Sequence, residues 1–328
     1  MPQPDRQEYV DNQLSDFAQA YFQSSTNFAA TKVFPQVTVS KQEAKYHIFD
    51  KNDLLRESME VRPNGGPSRG GGFGLSNDSY IAEVYASHKQ VTDRDRKNWT
   101  QSNLTFEEAT AQVLAQRALQ KIERQWVTDF FAASIWETDV TGGVDFTAWS
   151  TPGSSDPIVD IDTGKLTVLN STGFEPRVLA CGFKVWQNLR RHPLIVDRVT
   201  GGGNSQNPAT VSKEAVAAVL DLDKIHVLKA VKATNVEGGT AATSQIAGNH
   251  ALLCHVPDAP SIVEPSAGYT FVWDGVGGGM LDDGGNVAIS SIPDPLNGRN
   301  TTREEIEIGF DNKVTGSDLG YMLLSAVA

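Results

Sequence analysis

From Phe106 to Ala133 this chain contains neither glycine nor proline, although 29 of its 328 residues are glycine and 15 are proline. Thr105 followed by Glu108 has capping-box spacing, in which side chains and backbone N–H groups at a helix start satisfy one another. Val113, Leu119, Ile122, Trp126 and Phe130 recur at roughly helical steps, leaving Gln116, Lys121, Glu123 and Arg124 outside. The expected helix, 105–134, is about 40 Å long at 1.5 Å per residue, roughly twice the usual length. A stripe that long needs a flat or elongated body to cover it.

The segments before this helix do not supply that body. Within residues 1–35, Val10, Leu14, Phe17, Tyr21 and Phe22 form one apolar stripe on a short helix that has no partner nearby in sequence. It must lie on another part of the protein or on another molecule. Residues 36–90 carry strand patterns at Val37–Ser40, Tyr46–Phe49 and Asp78–Tyr85. Between them lies a stretch dominated by breakers, Pro63-Asn-Gly-Gly-Pro-Ser-Arg-Gly-Gly-Gly-Phe-Gly. This is a long two-way excursion, poor in core-grade residues, of a kind that a compact monomer rarely keeps unless something binds it.

After the helix, residues 136–172 read as loop, with Gly142-Gly and Thr151-Pro-Gly-Ser-Ser-Asp-Pro, ending in a weak strand at Leu166–Leu169. A compact α/β region starts at Arg177 with a buried strand, then a helix from Phe183 that Pro193 stops. A helix at Lys213–Leu222 and strands at Ile225–Val231, Ala251–Val256 and Tyr269–Trp273 follow. At the carboxyl end Glu305-Ile-Glu-Ile-Gly-Phe alternates, turns through Asp311-Asn-Lys and returns at Gly320–Val327 as an antiparallel pair.

Little in the chain points to chemistry. A net charge of −12 argues against a protein that grips nucleic acid through a basic face, since phosphate neutralisation dominates that affinity. It leaves open a protein that merely encloses nucleic acid. Cys181 and Cys254 lie in apolar surroundings and read as reduced core thiols. Gly70-Gly-Gly-Phe-Gly lacks the Lys-Ser/Thr of a phosphate loop, and Gly277-Gly-Gly-Met precedes no amphipathic helix. From Asp282, a calcium loop would need a distal carboxylate where Ile292 and Pro293 stand. His226 and His255 sit within strand patterns as core histidines, and His192 ends a helix, where a cation suits the dipole. No apolar run approaches transmembrane length and the amino terminus has no apolar signal core, so the chain is expected to stay where it is made. The reading is of a non-enzyme with no metal and no cofactor.

The layout of arm, extended hairpin, long helix, α/β domain and returning strands resembles the major capsid protein family of tailed bacteriophages, whose fold is shared with encapsulins. The most specific stretch runs from Arg177-Val-Leu-Ala-Cys-Gly-Phe-Lys-Val-Trp-Gln-Asn-Leu-Arg-Arg-His-Pro to Leu194-Ile-Val-Asp-Arg-Val. It is similar to the strand and helix that open the family's axial domain. Gly268-Tyr-Thr-Phe-Val-Trp, Asp318-Leu-Gly-Tyr, and Ser79-Tyr-Ile-Ala-Glu-Val-Tyr with Val91-Thr-Asp-Arg-Asp-Arg-Lys-Asn match further recurring stretches.

The resemblance implies an α+β capsid fold. It places an amino-terminal arm at 1–35, an extended loop at 36–85, a peripheral domain at 86–176 with a spine helix at 105–134, an axial domain at 177–300, and return strands to the peripheral domain at 301–328. It implies hexamers and pentamers forming an icosahedral virion shell around double-stranded DNA, assembled in the host cytoplasm without sequence-specific DNA contacts or a membrane. Portal, separate scaffold and decoration proteins are the implied partners beside the chain itself. The initial Met so close to the arm favours a separate scaffold. Phe17, Tyr21, Arg56, Arg62, Arg69 and Phe73 are the candidate intersubunit contacts. Lys51 and Asn297 give no specific match to the family's crosslinking residues, and no crosslink is expected. Two other readings compete: an encapsulin-type compartment, and a soluble α/β enzyme with a glycine-rich lid at 63–74.

Overall fold

The computed structural model describes all residues except 1–22, 58, 63, 67, 69, 100–104, 200–210, 237–238, 241, 260–263, 277–288, 295 and 297–299. The long helix is present as Phe106–Phe130, 25 residues or about 37 Å, with the Thr105/Glu108 capping box formed. It stops a turn early, and Ser134, just beyond it, has φ +65°. Its buried face differs from the expected stripe. Leu114 and Ala118 point inward with Ile122, Trp126 and Phe130, displacing Val113 and Leu119 to half-buried flanks. Glu123, expected outside, is buried.

That face crosses two cores. Leu114, Ala118 and Ile122 pack on Ile306, Ile308 and Phe310 of the first sheet. Trp126 and Phe130 pack on Val178, Leu252 and Met322 of the second. The strands of the first sheet are β1 (Gln36–Val39), β4 (Glu83–Val91), β11 (Gly268–Trp273), β12 (Ile289–Pro293) and β13 (Thr302–Val314). β13 is its axis: β4 pairs with it antiparallel over Thr302–Phe310, β12 over Thr302–Ile306, and β11 over Phe310–Val314. β1 adds on in parallel to β11.

The second sheet has the order β5 (Thr138–Thr141), β14 (Gly320–Leu324), β10 (Ala251–Cys254), β6 (Val178–Gly182) and β7 (Lys224–Leu228). Its central strands are covered on both faces, which is why they read as continuous apolar runs. Leu179, Cys181, Ala251 and Leu253 face one core. Val178, Ala180, Leu252 and Cys254 face the other. The two cysteines are therefore free and on opposite faces of the sheet.

Four sequence expectations need correction. Residues 157–172 are a helix, not a loop with a strand at Leu166–Leu169. Asp156 caps it through the N–H groups of Ile158 and Val159, Pro157 takes the first helical position, and Gly173 (φ +79°) ends it. Its apolar face packs with Leu179 and Leu253 on the second sheet. The carboxyl-terminal strands are not a pair: Asp311-Asn-Lys continues β13, and β14 inserts into the other sheet between β5 and β10. The helix from Phe183 ends at Leu189, before Pro193, and Pro193 instead starts another, Pro193–Val199. The single strand read at Asp78–Tyr85 is two, β3 (Leu75–Ile81) and β4, separated by the fully buried Ala82.

Two close approaches hold the second sheet to its surroundings. A Cβ on Gly182 would lie 2.1 Å from the Gly248 carbonyl oxygen, and one on Gly320 would lie 2.1 Å from the Trp136 ring. Gly182→Ala or Gly320→Ala is expected to cost at least ~1–3 kcal/mol by overpacking. Gly72→Ala, in open space, should be nearly neutral. Denaturant midpoints of the three variants check this, and equal midpoints would contradict it.

Candidate functional site

Two elements precede the long helix and flank the two-sheet body. The first is a hairpin of β2 (Glu43–Phe49) and β3, paired antiparallel from Glu43↔Ile81 to Phe49↔Leu75. Its base is well fastened. Tyr80 stacks on Phe271 at 4.5 Å and Tyr46 lies 5.5 Å from the same ring. The Tyr46 hydroxyl donates to Asp78 (2.9 Å), and the Ile81 N–H donates to the Asp311 carboxylate (2.9 Å). At the far end Asp50 caps a short helix, Lys51–Leu55. Asp53 accepts from the Gly74 N–H (2.9 Å), and Lys51 forms an ion pair with Asp318 just before β14.

Between these fixed points the hairpin is short of a core. Leu54, Leu55, Met59, Val61, Phe73 and Leu75 are all more than half exposed, with Val61 at 97%. Full burial of such side chains is worth ~1.5–3 kcal/mol each. Six of them represent an unrealised gain on the order of 10 kcal/mol, as large as the net stability of a typical domain.

Of the predicted contact residues, Arg56 is exposed directly after the short helix. Arg62 is exposed and donates from Nε to the Gly66 carbonyl (2.7 Å), closing a local turn. Phe73 is exposed with one ring neighbour, Phe49, at 5.6 Å. Phe17, Tyr21 and Arg69 lie outside the described residues.

The second element is the segment that leads in from the amino-terminal side, 23–35, which straps across the body. The Gln23 side chain donates to the Val231 carbonyl (2.8 Å) and accepts from the Val231 N–H (3.0 Å). The Lys229 N–H donates to the Asn27 carbonyl (3.1 Å). Ala29 and Ala30 donate to Glu123 of the long helix (3.1 and 2.9 Å). Phe34 then enters an aromatic cluster with Trp126, Phe130 and Trp136. Sequence reasoning missed Glu123, which it placed on the outer side of the long helix.

No group of three or more His, Cys, Asp or Glu suited to a metal occurs among the described residues. A cavity of ≈ 300 Å³ at the hairpin base is lined by Glu83, Tyr85, Asp129, Asp311 and Lys313, among others. Burial raises the pKa of Asp129 and of Asp311 above the ordinary aspartate range. None of the described residues among 63–74 lines this cavity.

His192 is not the cation expected at a helix end. It is buried, with Nε2 at 3.0 Å from the Ser155 hydroxyl, and burial lowers its pKa. His226 is pushed down to about 4, by burial first and then by Lys213, Lys224 and Lys32. His250 accepts from the Ser325 N–H, and the His255 ring meets the Glu175 carbonyl, each at 3.0 Å. These are histidines held within the fold.

No protein-family model matches the chain. It is 25% identical over 331 aligned residues to the major capsid protein of Pseudomonas phage JBD67, covering 97% of both chains. It is 23% identical to the major capsid protein of Burkholderia phage BcepMu, covering 80% of this chain and 82% of that one. Among solved structures, a phage-related protein of Bordetella bronchiseptica superposes with a TM-score of 0.65 at 21% identity, covering 97% of each chain. The capsid of cyanophage P-SCSP1u gives 0.57 at 13% identity, covering 89% and 86%. The SrpI encapsulin of Synechococcus elongatus gives 0.52 at 10% identity, covering 100% and 98%. In sequence the chain is a relative of phage major capsid proteins, which are structural proteins rather than enzymes, and its α+β fold is the one that phage capsids share with encapsulins.

Proposed function

We propose that this chain is the major capsid protein of a tailed phage, and that its copies assemble through hexamers and pentamers into an icosahedral virion shell around double-stranded DNA. The observation that carries the reading is the similarity to a phage major capsid protein across 97% of both chains. The division into parts follows the family: an arm at 1–35, an extended loop at 36–85, a peripheral domain at 86–176 with 301–328, and an axial domain at 177–300. The helix at Pro157–Thr172 and β14 share a core with β6 and β10, so the two domains are interleaved rather than strung in series.

The physical case for assembly is the hairpin. Its exposed apolar side chains gain free energy only against another molecule, and copies of the same chain are always present in a shell. Phe73, with Arg56, Arg62 and Arg69, is assigned to contacts between neighbouring subunits, and Phe17 and Tyr21 of the arm likewise. Assembly would take place in the host cytoplasm, with a portal, a separate scaffold and decoration proteins as further partners. An acidic chain of net charge −12 suits a wall that repels packed DNA rather than binding it. The fold similarity to the SrpI encapsulin supports a second reading, a cellular compartment that encloses protein cargo.

Deletion of 60–75, with the ends rejoined by a short linker, is expected to leave a folded, soluble subunit that cannot form closed shells. Wild-type-like shells in electron micrographs would overturn the role given to the hairpin. The milder Leu54→Ser with Leu55→Ser changes exposed positions, so subunit stability should move by no more than ~0.5 kcal/mol, while the protein concentration needed for assembly rises. An unchanged assembly threshold would count against these two side chains. Nuclease-protected DNA inside particles purified from lysed cells supports the phage reading, and protein cargo without DNA supports the compartment.

A further inference from the structure

Glu123 is 1% exposed, in the carboxyl-terminal half of the long helix. Its Oε2 accepts the N–H groups of Ala29 and Ala30, at 3.1 and 2.9 Å. Its Oε1 is buried without a hydrogen-bond partner among the described residues. Leu119 and Val127, one turn to either side, pack under Phe28 with Ala230 and Ile246. A carboxylate here is shut away from water with half of its acceptor capacity unused, and leaving a buried charge in that state is costly.

The charged groups on the surrounding elements do not offset it. On the long helix, Lys121 lies over the Tyr85 ring and donates to Gln125, Arg124 is exposed, and Asp129 is held by Asn312 and Gln125. On the strap, Lys32 is exposed and acts on His226, itself neutral at ordinary pH. On the strands beneath, Lys229 lies over the Phe183 ring and Lys232 sits half-buried on β8 (Val231–Ala233). Among the described residues, only burial and the two alanine N–H groups act on the Glu123 carboxyl.

We infer that Glu123 is a proton-operated latch, which fastens the 23–35 strap to the long helix when protonated and loosens it when ionised. The strap is held on either side by Gln23 and by Phe34. Opening at Ala29–Ala30 is the movement that would admit water to the carboxyl.

The sign follows from proton linkage. Burial pushes the Glu123 pKa up from the ordinary glutamate range to about 7, with the two N–H groups opposing. Between the ordinary glutamate pKa and about 7, the closed strap binds more protons than the open one, so raising the pH favours opening. Below that window the latch is fully engaged, and above it the loss is complete.

Hydrogen–deuterium exchange of the full-length chain between pH 5 and pH 8, with rates divided by the intrinsic rate at each pH, tests this. Peptides covering 27–35 should exchange at least about tenfold faster at the upper end, while peptides of β13 change little. Glu123→Gln keeps an acceptor but cannot ionise, so its profile should be flat, and Glu123→Leu serves the same comparison if the glutamine variant does not fold. A flat wild-type profile, or the wild-type rise persisting in either variant, would overturn the latch. The measurement does not depend on shell formation.

Discussion

One helix face has to satisfy two sheets. The amino-terminal half of Phe106–Phe130 covers β13, and its carboxyl-terminal half covers the inner face of the β14–β10–β6 sheet. Neither core is closed without it, so sheet position, strap and hairpin base all take their reference from this one rod. The strap makes the arrangement continuous. It passes from Val231 over the helix to the aromatic cluster around Phe34, and then becomes β1, an edge strand of the first sheet. A helix of about 37 Å sets the distance its two cores must share.

The hairpin stands in contrast to that body. Its base is fixed by ring stacking on Phe271, and its far end by the Asp53–Gly74 hydrogen bond and the Lys51–Asp318 ion pair. The residues between keep large apolar side chains in water. A chain gains nothing from such side chains as a free monomer. They become stabilising once a second surface covers them, which ties the least satisfied part of the fold to the proposed assembly. Cys181, Cys254 and His192 are buried, His192 against the Ser155 hydroxyl, the His255 ring meets the Glu175 carbonyl, and the relatives are structural proteins.

What the sequence made legible follows from where the covering partners lie. The capping box at Thr105 and the unbroken apolar strands Val178–Gly182 and Ala251–Cys254 are local patterns, and they are found where they were read. The Pro157–Thr172 helix was hidden because its proline and glycines resemble breakers. Pro157 in fact occupies the first turn, Gly173 the left-handed end, and Gly164 a place where a Cβ would press within 2.9 Å of the Tyr321 ring. Glu123 was hidden for another reason: its two donors lie more than ninety residues away, and no local pattern marks a carboxylate for burial. β13 and β14 look like a hairpin in sequence, yet each finds better-matched neighbours in a different sheet. Arg56, Arg62 and Phe73 are exposed, and their assignment to intersubunit contacts is a proposal that exposure does not decide.

The central claim is that the hairpin is completed by another copy of the chain. A cryo-electron microscopy reconstruction of the purified, assembled protein tests it most directly. The account predicts a closed shell in which residues 43–81 lie across a neighbouring subunit, with Leu54, Leu55 and Phe73 covered at that contact. A monodisperse monomer at all concentrations with scaffold supplied, or a shell whose hairpins remain in solvent, would contradict it.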